Sequence, residues 1–176
     1  MSLLITGGTG YIGSHTVVEL LKLGKDIIIV DNLVNSSIKV LERIRKITGK
    51  SATFIEADIC DVQAMESVFE QNDIEAVIHF AGLKAVGESS QIPLSYYHNN
   101  VAGSVTLFQV MAKYNVKNLV FSSSATVYGE NNLSPLNESM PTSATNPYGQ
   151  TKLMIESILF DLANSDNDWS IACLRY

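Results

Sequence analysis

Short apolar runs alternate with longer amphipathic ones along almost the whole chain, and that alternation decides what it can fold into. LLIT (3–6), IIIV (27–30), TFIEA (53–57), AVIHFA (76–81), NLVFSS (118–123) and SIACLR (170–175) are rich in β-branched and aromatic residues, with little polar alternation. Strands buried on both faces have this character. Between them, residues 12–23, 37–47 and 62–71 carry apolar positions near helical spacing. Pro93 opens a longer segment running to about Tyr114, and the segment from Pro147 places Ile155, Ile158, Leu159 and Leu162 along one helix face. Six strands alternating with five helices predict an α/β fold: a doubly wound, mainly parallel sheet with helices on both faces.

A length of 176 residues suits one domain, and 46% apolar against 17% charged residues is a globular balance. A net charge of −6, with Lys and Arg scattered, argues against a nucleic-acid or anionic-membrane partner. Cys60 and Cys173 lie far apart without a CxxC or a histidine cluster. They read as reduced, buried thiols, with no zinc or other metal site and no disulfide framework. MSLLITGGTG has no basic region, and no window reaches the length of a membrane span. The expected location is cytoplasmic. The longest polar stretch, residues 129–146, is expected to be a functional loop.

ITGGTGYIG sets Gly7, Gly10 and Gly13 straight after the first strand and at the opening of a helix. Glycines there let the chain turn tightly and let backbone N–H groups approach a pyrophosphate, which the helix N-terminus also favours. The turn therefore reads as a dinucleotide cradle in a Rossmann-like fold. Asp31 ends the second strand, where a carboxylate can accept from the adenosine ribose and would repel a 2′-phosphate. NAD is favoured over NADP. Asp58, ending the third strand, either reaches the adenine edge or caps the helix before VQAMES. After the fourth strand, Ala81 and Gly82 would let a cofactor lie against the backbone. His79 reads as a core histidine, and His15 and His98 take no role.

NPYGQTK places Tyr148 and Lys152 one turn apart at a helix start, with Asn146 as the cap and Pro147 in the first turn. The pair alone is either a proton-transfer device or an ordinary tyrosine beside a lysine. Its surroundings favour the first reading. The fifth strand runs into SSSATVYG, so Ser124 emerges at the carboxyl edge of the sheet, where ligands bind in this architecture. Bringing a phenol from a pKa near 10 to about 7 needs roughly 4 kcal/mol. One cation at about 4 Å supplies on the order of 4 kcal/mol at an effective dielectric near 20. Lys152 together with an oxidised nicotinamide could provide it, while Ser124 bonds the same substrate oxygen that Tyr148 deprotonates.

TGGTGYIGSH, DNLVNSS, HFAGLKAVGES, YYHNNVAGS, FSSSATVYG and NPYGQTK together resemble the UDP-glucose 4-epimerase family of extended short-chain dehydrogenases/reductases. The resemblance covers the whole chain. It implies that NAD takes a hydride from C4 of UDP-glucose or UDP-galactose while Tyr148 takes the hydroxyl proton. The 4-keto sugar then turns over and the hydride returns to its other face. Ser124 would assist the proton transfer, and Lys152 would hold the nicotinamide ribose and depress the tyrosine pKa. The resemblance further assigns cofactor contacts to Tyr11, Ile12, Asp31, Asn32, Leu33, Val34, Asn35, Ser36, Asp58, Ile59, Phe80, Ala81, Gly82, Leu83, Lys84 and Asn99, besides Ser124, Tyr148 and Lys152. It implies a homodimer formed through the helices near 93–114 and 147–165.

The family continues for roughly as many residues again, so residues 1–176 read as the NAD-binding domain with the catalytic trio, the substrate-binding domain being absent. A dinucleotide-binding module without turnover is the alternative. A related dehydratase or decarboxylase is disfavoured, since Ala125 and Thr126 follow Ser124 where dehydratases carry an acidic pair.

Overall fold

A computed structural model of the chain describes residues 1–130 and 132–176. The chain passes through β1 (Ser2–Thr6), α1 (Tyr11–Lys22), β2 (Ile27–Asp31), α2 (Lys39–Thr48), β3 (Thr53–Glu56), α3 (Val62–Gln71) and β4 (Ile74–His79). It continues through α4 (Val86–Gln91), α5 (Pro93–Tyr96), a π turn (Tyr97–Ala102), α6 (Gly103–Lys113), β5 (Asn118–Ser122), a 3₁₀ turn (Ala125–Tyr128), α7 (Pro147–Ser165) and β6 (Ser170–Leu174). The strands form one six-stranded sheet in the order β3-β2-β1-β4-β5-β6. Every neighbouring pair is parallel.

The two-residue period of a strand divides the core between the sheet faces. Ile5, Ile27 and Ile29 point to one face and pack with Val17 and Leu21 of α1 and Ile44 of α2. Leu4, Ile28 and Val30 point to the other, against Met65 and Phe69 of α3, Leu107 and Met111 of α6, and Ile155 and Leu159 of α7. Burying each such side chain contributes about 1.5–3 kcal/mol.

The central strands are buried on both faces, but β3 and β6 are not: they are the outer strands of the sheet, and most of β6 is exposed. Cys173 on β6 is accordingly exposed and Cys60 half-buried, so the expectation of two buried thiols fails. Partial burial, with Asp58 beside Cys60 and Glu156 near Cys173, still pushes both thiols up to about 11.

The expected helix from Pro93 to Tyr114 runs unbroken to Lys113 as α5, the π turn and α6, with right-handed helical backbone at both joins. Two contacts accompany the π turn. The buried Asn100 side chain turns out to bond the backbone of Leu83, and Gly103 lies against Ile59 and Cys60, where a Cβ would meet them at 2.9 Å. The short α4, VGESSQ, lacks an apolar period and was not expected. At α7 the local signals hold: Asn146 Oδ1 accepts from Gly149 N at 2.8 Å and Pro147 fills the first turn. Of the expected functional loop 129–146, residue 131 lies outside the described residues. Asn132 Nδ2 ties the remainder back to Tyr128 O and Pro141 O.

His79 is a core residue, fully buried between Phe108 and Phe121. Ser104 Oγ donates to Asn100 O, so it must accept from His79 Nε2, and His79 Nδ1 then accepts from the Thr6 hydroxyl at 2.6 Å. Burial, aided by the charge on Lys152, pulls the imidazole down to about 3. The native state keeps His79 neutral while the unfolded chain binds a proton below about 6.5, so stability falls as pH drops from there towards 3. His79→Gln is expected to remove up to about 1.4 kcal/mol per pH unit from that slope, measured by urea unfolding between pH 6.5 and 4.

Candidate active site

Because all six strands run the same way, every strand end reaches one edge, and the glycine turn lies where β1 separates β2 from β4. Gly7 N donates to Val30 O at 2.8 Å, and its φ of +68° is left-handed. A Cβ on Gly7 would stand 2.6 Å from Ala81 N, and one on Gly13 would strike Gly7 O. The turn is thus folded so tightly on the β4 loop that side chains have no room. Gly10 starts α1 with no side-chain cap, leaving first-turn N–H groups directed at the crevice.

Asp31 is buried and held in place. Its Oδ2 accepts from Thr9 N at 3.1 Å, and its Oδ1 from Leu33 N at 3.0 Å and Ser36 Oγ at 2.9 Å. A carboxylate has about four acceptor positions, so one remains for a ligand hydroxyl. Asp58 is not the cap of α3. That role belongs to Asp61, which accepts from Ala64 N at 3.0 Å. Asp58 instead accepts from Asn32 Nδ2 at 2.9 Å and Cys60 N at 2.8 Å. Burial works to raise its carboxyl, but these donors outweigh it and hold Asp58 below its ordinary value.

Tyr148, near the start of α7, is half-buried and faces the end of β5. Ser124 Oγ accepts from Thr126 N at 3.2 Å and Thr126 Oγ1 at 2.9 Å, so its own proton is free to be donated. Lys152 is buried, with Nζ donating to Ser122 O at 2.8 Å, 4.8 Å from the centre of the Phe121 ring and 5.9 Å from that of Tyr148. Burial pulls its ammonium down to about 8, so it keeps its proton at neutral pH. The expected depression of the tyrosine calls for an oxidised nicotinamide beside Lys152; in the chain alone the phenol stands above its ordinary value. Burial pushes the phenol up, hydrogen bonding to Ser124 opposes this, and Tyr176 adds to the rise. The ammonium is engaged with a backbone carbonyl rather than the phenol.

One crevice of about 600 Å³ joins these parts. Gly7, Gly10, Tyr11, Ile12, Gly13, Asp31, Asn32, Val34, Asn35, Ser36, Asp58, Ile59, residues 80–84, Asn99, Tyr148 and Lys152 all line it. Leu33 and Ser124 do not line it; Leu33 gives its N–H to Asp31, and Ser124 is buried, next in the chain to Ser123, which does line it. Residues that sequence reasoning passed over also line it: Ser95, Ser122, Ser123, Tyr176 and His98. Tyr176 follows β6, and its Oη lies 2.5 Å from Ser122 Oγ. The strand-end argument that singled out Ser124 would have found it. Among the described residues, no group of three or more His, Cys, Asp or Glu is placed to hold a metal.

The family described as the NAD dependent epimerase/dehydratase family matches residues 3–176. The chain belongs to this family. It is 62% identical over 176 residues to the UDP-glucose 4-epimerase of Bacillus subtilis, and 55% over 174 residues to that of Dictyostelium discoideum. These matches take in 100% and 99% of this chain but 52% and 51% of the relatives, so the chain spans about half the length of the curated relatives it matches. The UDP-glucose 4-epimerase of Bifidobacterium longum, solved with NAD+ and UDP, superposes with a TM-score of 0.98 at 51% identity, covering 100% of this chain and 53% of that one. That of Stenotrophomonas maltophila, solved with NAD and formylated UDP-arabinopyranose, gives 0.97 at 50% identity, covering 100% and 52%. For this family member the close-packed turn is directly testable. Gly7→Ala adds a clash to backbone strain and is expected to cost about 2–4 kcal/mol in urea unfolding. Gly24→Ala, at φ +79° with open space around it, should cost only about 1–2 kcal/mol.

Proposed function

We propose that this chain is the NAD-binding, proton-transferring part of an enzyme that interconverts UDP-glucose and UDP-galactose at C4. The observation that carries this reading is the convergence of the glycine turn, Asp31, Tyr148 and Lys152 on one crevice, with Ser124 in hydrogen-bonding reach of Tyr148. The crevice fits the dinucleotide: a cradle that any Cβ would fill, an uncapped helix N-terminus, and a carboxylate with one acceptor position left. Gly7, Gly10 and Gly13 would hold its pyrophosphate, Asp31 a ribose hydroxyl, and Lys152 the other ribose. Bound NAD would accept and return the hydride at C4.

In this reading Tyr148 removes the proton of the 4-hydroxyl. Ser124 donates a hydrogen bond to the same oxygen, steadying the charge that grows there as the proton leaves. The phenol is raised in the chain alone, so its activation falls to the positive charge that arrives with the oxidised cofactor, with Lys152 as the fixed cation of the site. The grip on the uridine end of the sugar nucleotide is assigned to a separate substrate-binding domain beyond these residues. Homodimer formation through α5–α6 and α7 fits the exposed Leu94, Met154 and Phe160 on those segments. A cytoplasmic location fits the free thiols; among the described residues no helix is long and apolar enough to cross a membrane.

Calorimetric titration is expected to show saturable binding of NAD and little of NADP, with Asp31→Asn narrowing the difference; an equal response to both would remove Asp31 from the ribose. Tyr148→Phe should lower epimerisation of UDP-galactose by about a hundred- to ten-thousand-fold while changing NAD affinity far less. Epimerisation close to the unmutated rate would exclude Tyr148 as the base.

A further inference from the structure

Tyr148 and Lys152 are followed at the same spacing on α7 by a third polar side chain, Glu156. Its side chain is only 10% exposed. The Ser123 hydroxyl donates to Oε1. Arg175 donates from Nε to both carboxylate oxygens, at 3.0 and 3.1 Å, and from Nη2 to Oε2 at 2.6 Å. The other arm of the guanidinium, Nη1, donates to Tyr128 Oη at 3.1 Å, and the group lies 4.9 Å from the centre of that ring. The mechanism above uses neither residue of this pair.

Ser123 precedes Ser124, and Tyr128 closes the 3₁₀ turn that follows it. Glu156 therefore grips the chain before Ser124 directly, and the chain after it through Arg175. One turn earlier on the same helix face, Lys152 holds Ser122 O. A carboxylate suits this position because it accepts from Ser123 and from two guanidinium nitrogens at once, whereas a carboxamide would turn its own N–H groups towards some of them.

We propose that Glu156 and Arg175 are positioning residues for Ser124. They fix the backbone on both sides of it against α7, so that the proton left free by Thr126 stays aimed at the Tyr148 phenol. The consequence for catalysis rests on the proton-transfer reading above, but the hold on Ser124 can be measured without turnover.

The experiment uses the chain labelled with 13C at tyrosine Cζ, whose chemical shift at neutral pH reports hydrogen bonding to the phenol. The Tyr148 signal is assigned by its loss in Tyr148→Phe. Ser124→Ala should move that signal. Glu156→Gln should move it in the same direction by at least half as much, and adding Glu156→Gln to Ser124→Ala should move it no further, since both act on one contact. Melting of Glu156→Gln is expected to fall by on the order of 10 °C. A fall in melting temperature with the Tyr148 signal unmoved would overturn the proposal and leave the pair a structural tie. Additive shifts would overturn it too, because Glu156 would then reach Tyr148 by a separate route. An unmoved signal in Ser124→Ala would instead remove the Ser124–Tyr148 contact, and with it both this proposal and that part of the functional reading. Should Glu156→Gln fail to fold, Arg175→Lys, which keeps the cation but loses the forked hold, is expected to show the same non-additive signature more weakly.

Discussion

Parallel strand direction is the constraint on which everything at this site depends. With β1 lying between β2 and β4, the chain leaving β1 turns towards one sheet face and the chain leaving β4 towards the other. A crevice must open between the two turns. Its depth is then set by how closely the turns approach, and here Gly7 meets the Phe80–Ala81 backbone with no intervening side chain. Thr6 secures that approach from below: its hydroxyl bonds His79 and lies 3.4 Å from Ala81 N.

The interior behind the crevice carries an unusual amount of polar chemistry, all of it partnered. Among the described residues no buried side-chain nitrogen or oxygen lacks a hydrogen bond. Thr6, His79 and Ser104 lead to Asn100, which bonds Leu83 and Thr151, and Thr151 in turn bonds Tyr148 O. A chain of neutral groups thus links the glycine turn to the first turn of α7. The charged groups are where burial shows its cost: Lys152 loses affinity for its proton and the Tyr148 phenol resists losing one.

What the sequence made legible was governed by neighbours along the chain. The strand runs, the glycine turn and the Asn146–Pro147 helix start all depend on residues within a few positions, and each lies where its local pattern says. Asp58 was ambiguous because two aspartates stand close together, and only geometry separates the residue facing Asn32 from the cap, Asp61. The π turn could not be read, since it forms around Asn100 and Gly103, whose partners Leu83, Thr151 and Ile59 are remote in sequence. Glu156 gave no signal for the same reason: a glutamate on an amphipathic helix looks solvated until Arg175 and Ser123 are brought to it. The rise of the Tyr148 phenol in the chain alone was not legible either, because it comes from burial and from Tyr176, which is remote in sequence.

Tyr148, Lys152 and Glu156 follow one another at intervals of a single turn, so α7 serves as a ruler along the end of β5. Each residue added to a helix rotates everything beyond it by about 100° and advances it about 1.5 Å. One insertion between Tyr148 and Glu156 would therefore disengage the later contacts entirely rather than loosen them. The polar loop that precedes α7 is under no such arithmetic. In a lineage of such chains, length variation should collect in residues 129–146 and be excluded from residues 148–156, whatever substitutions either segment accepts.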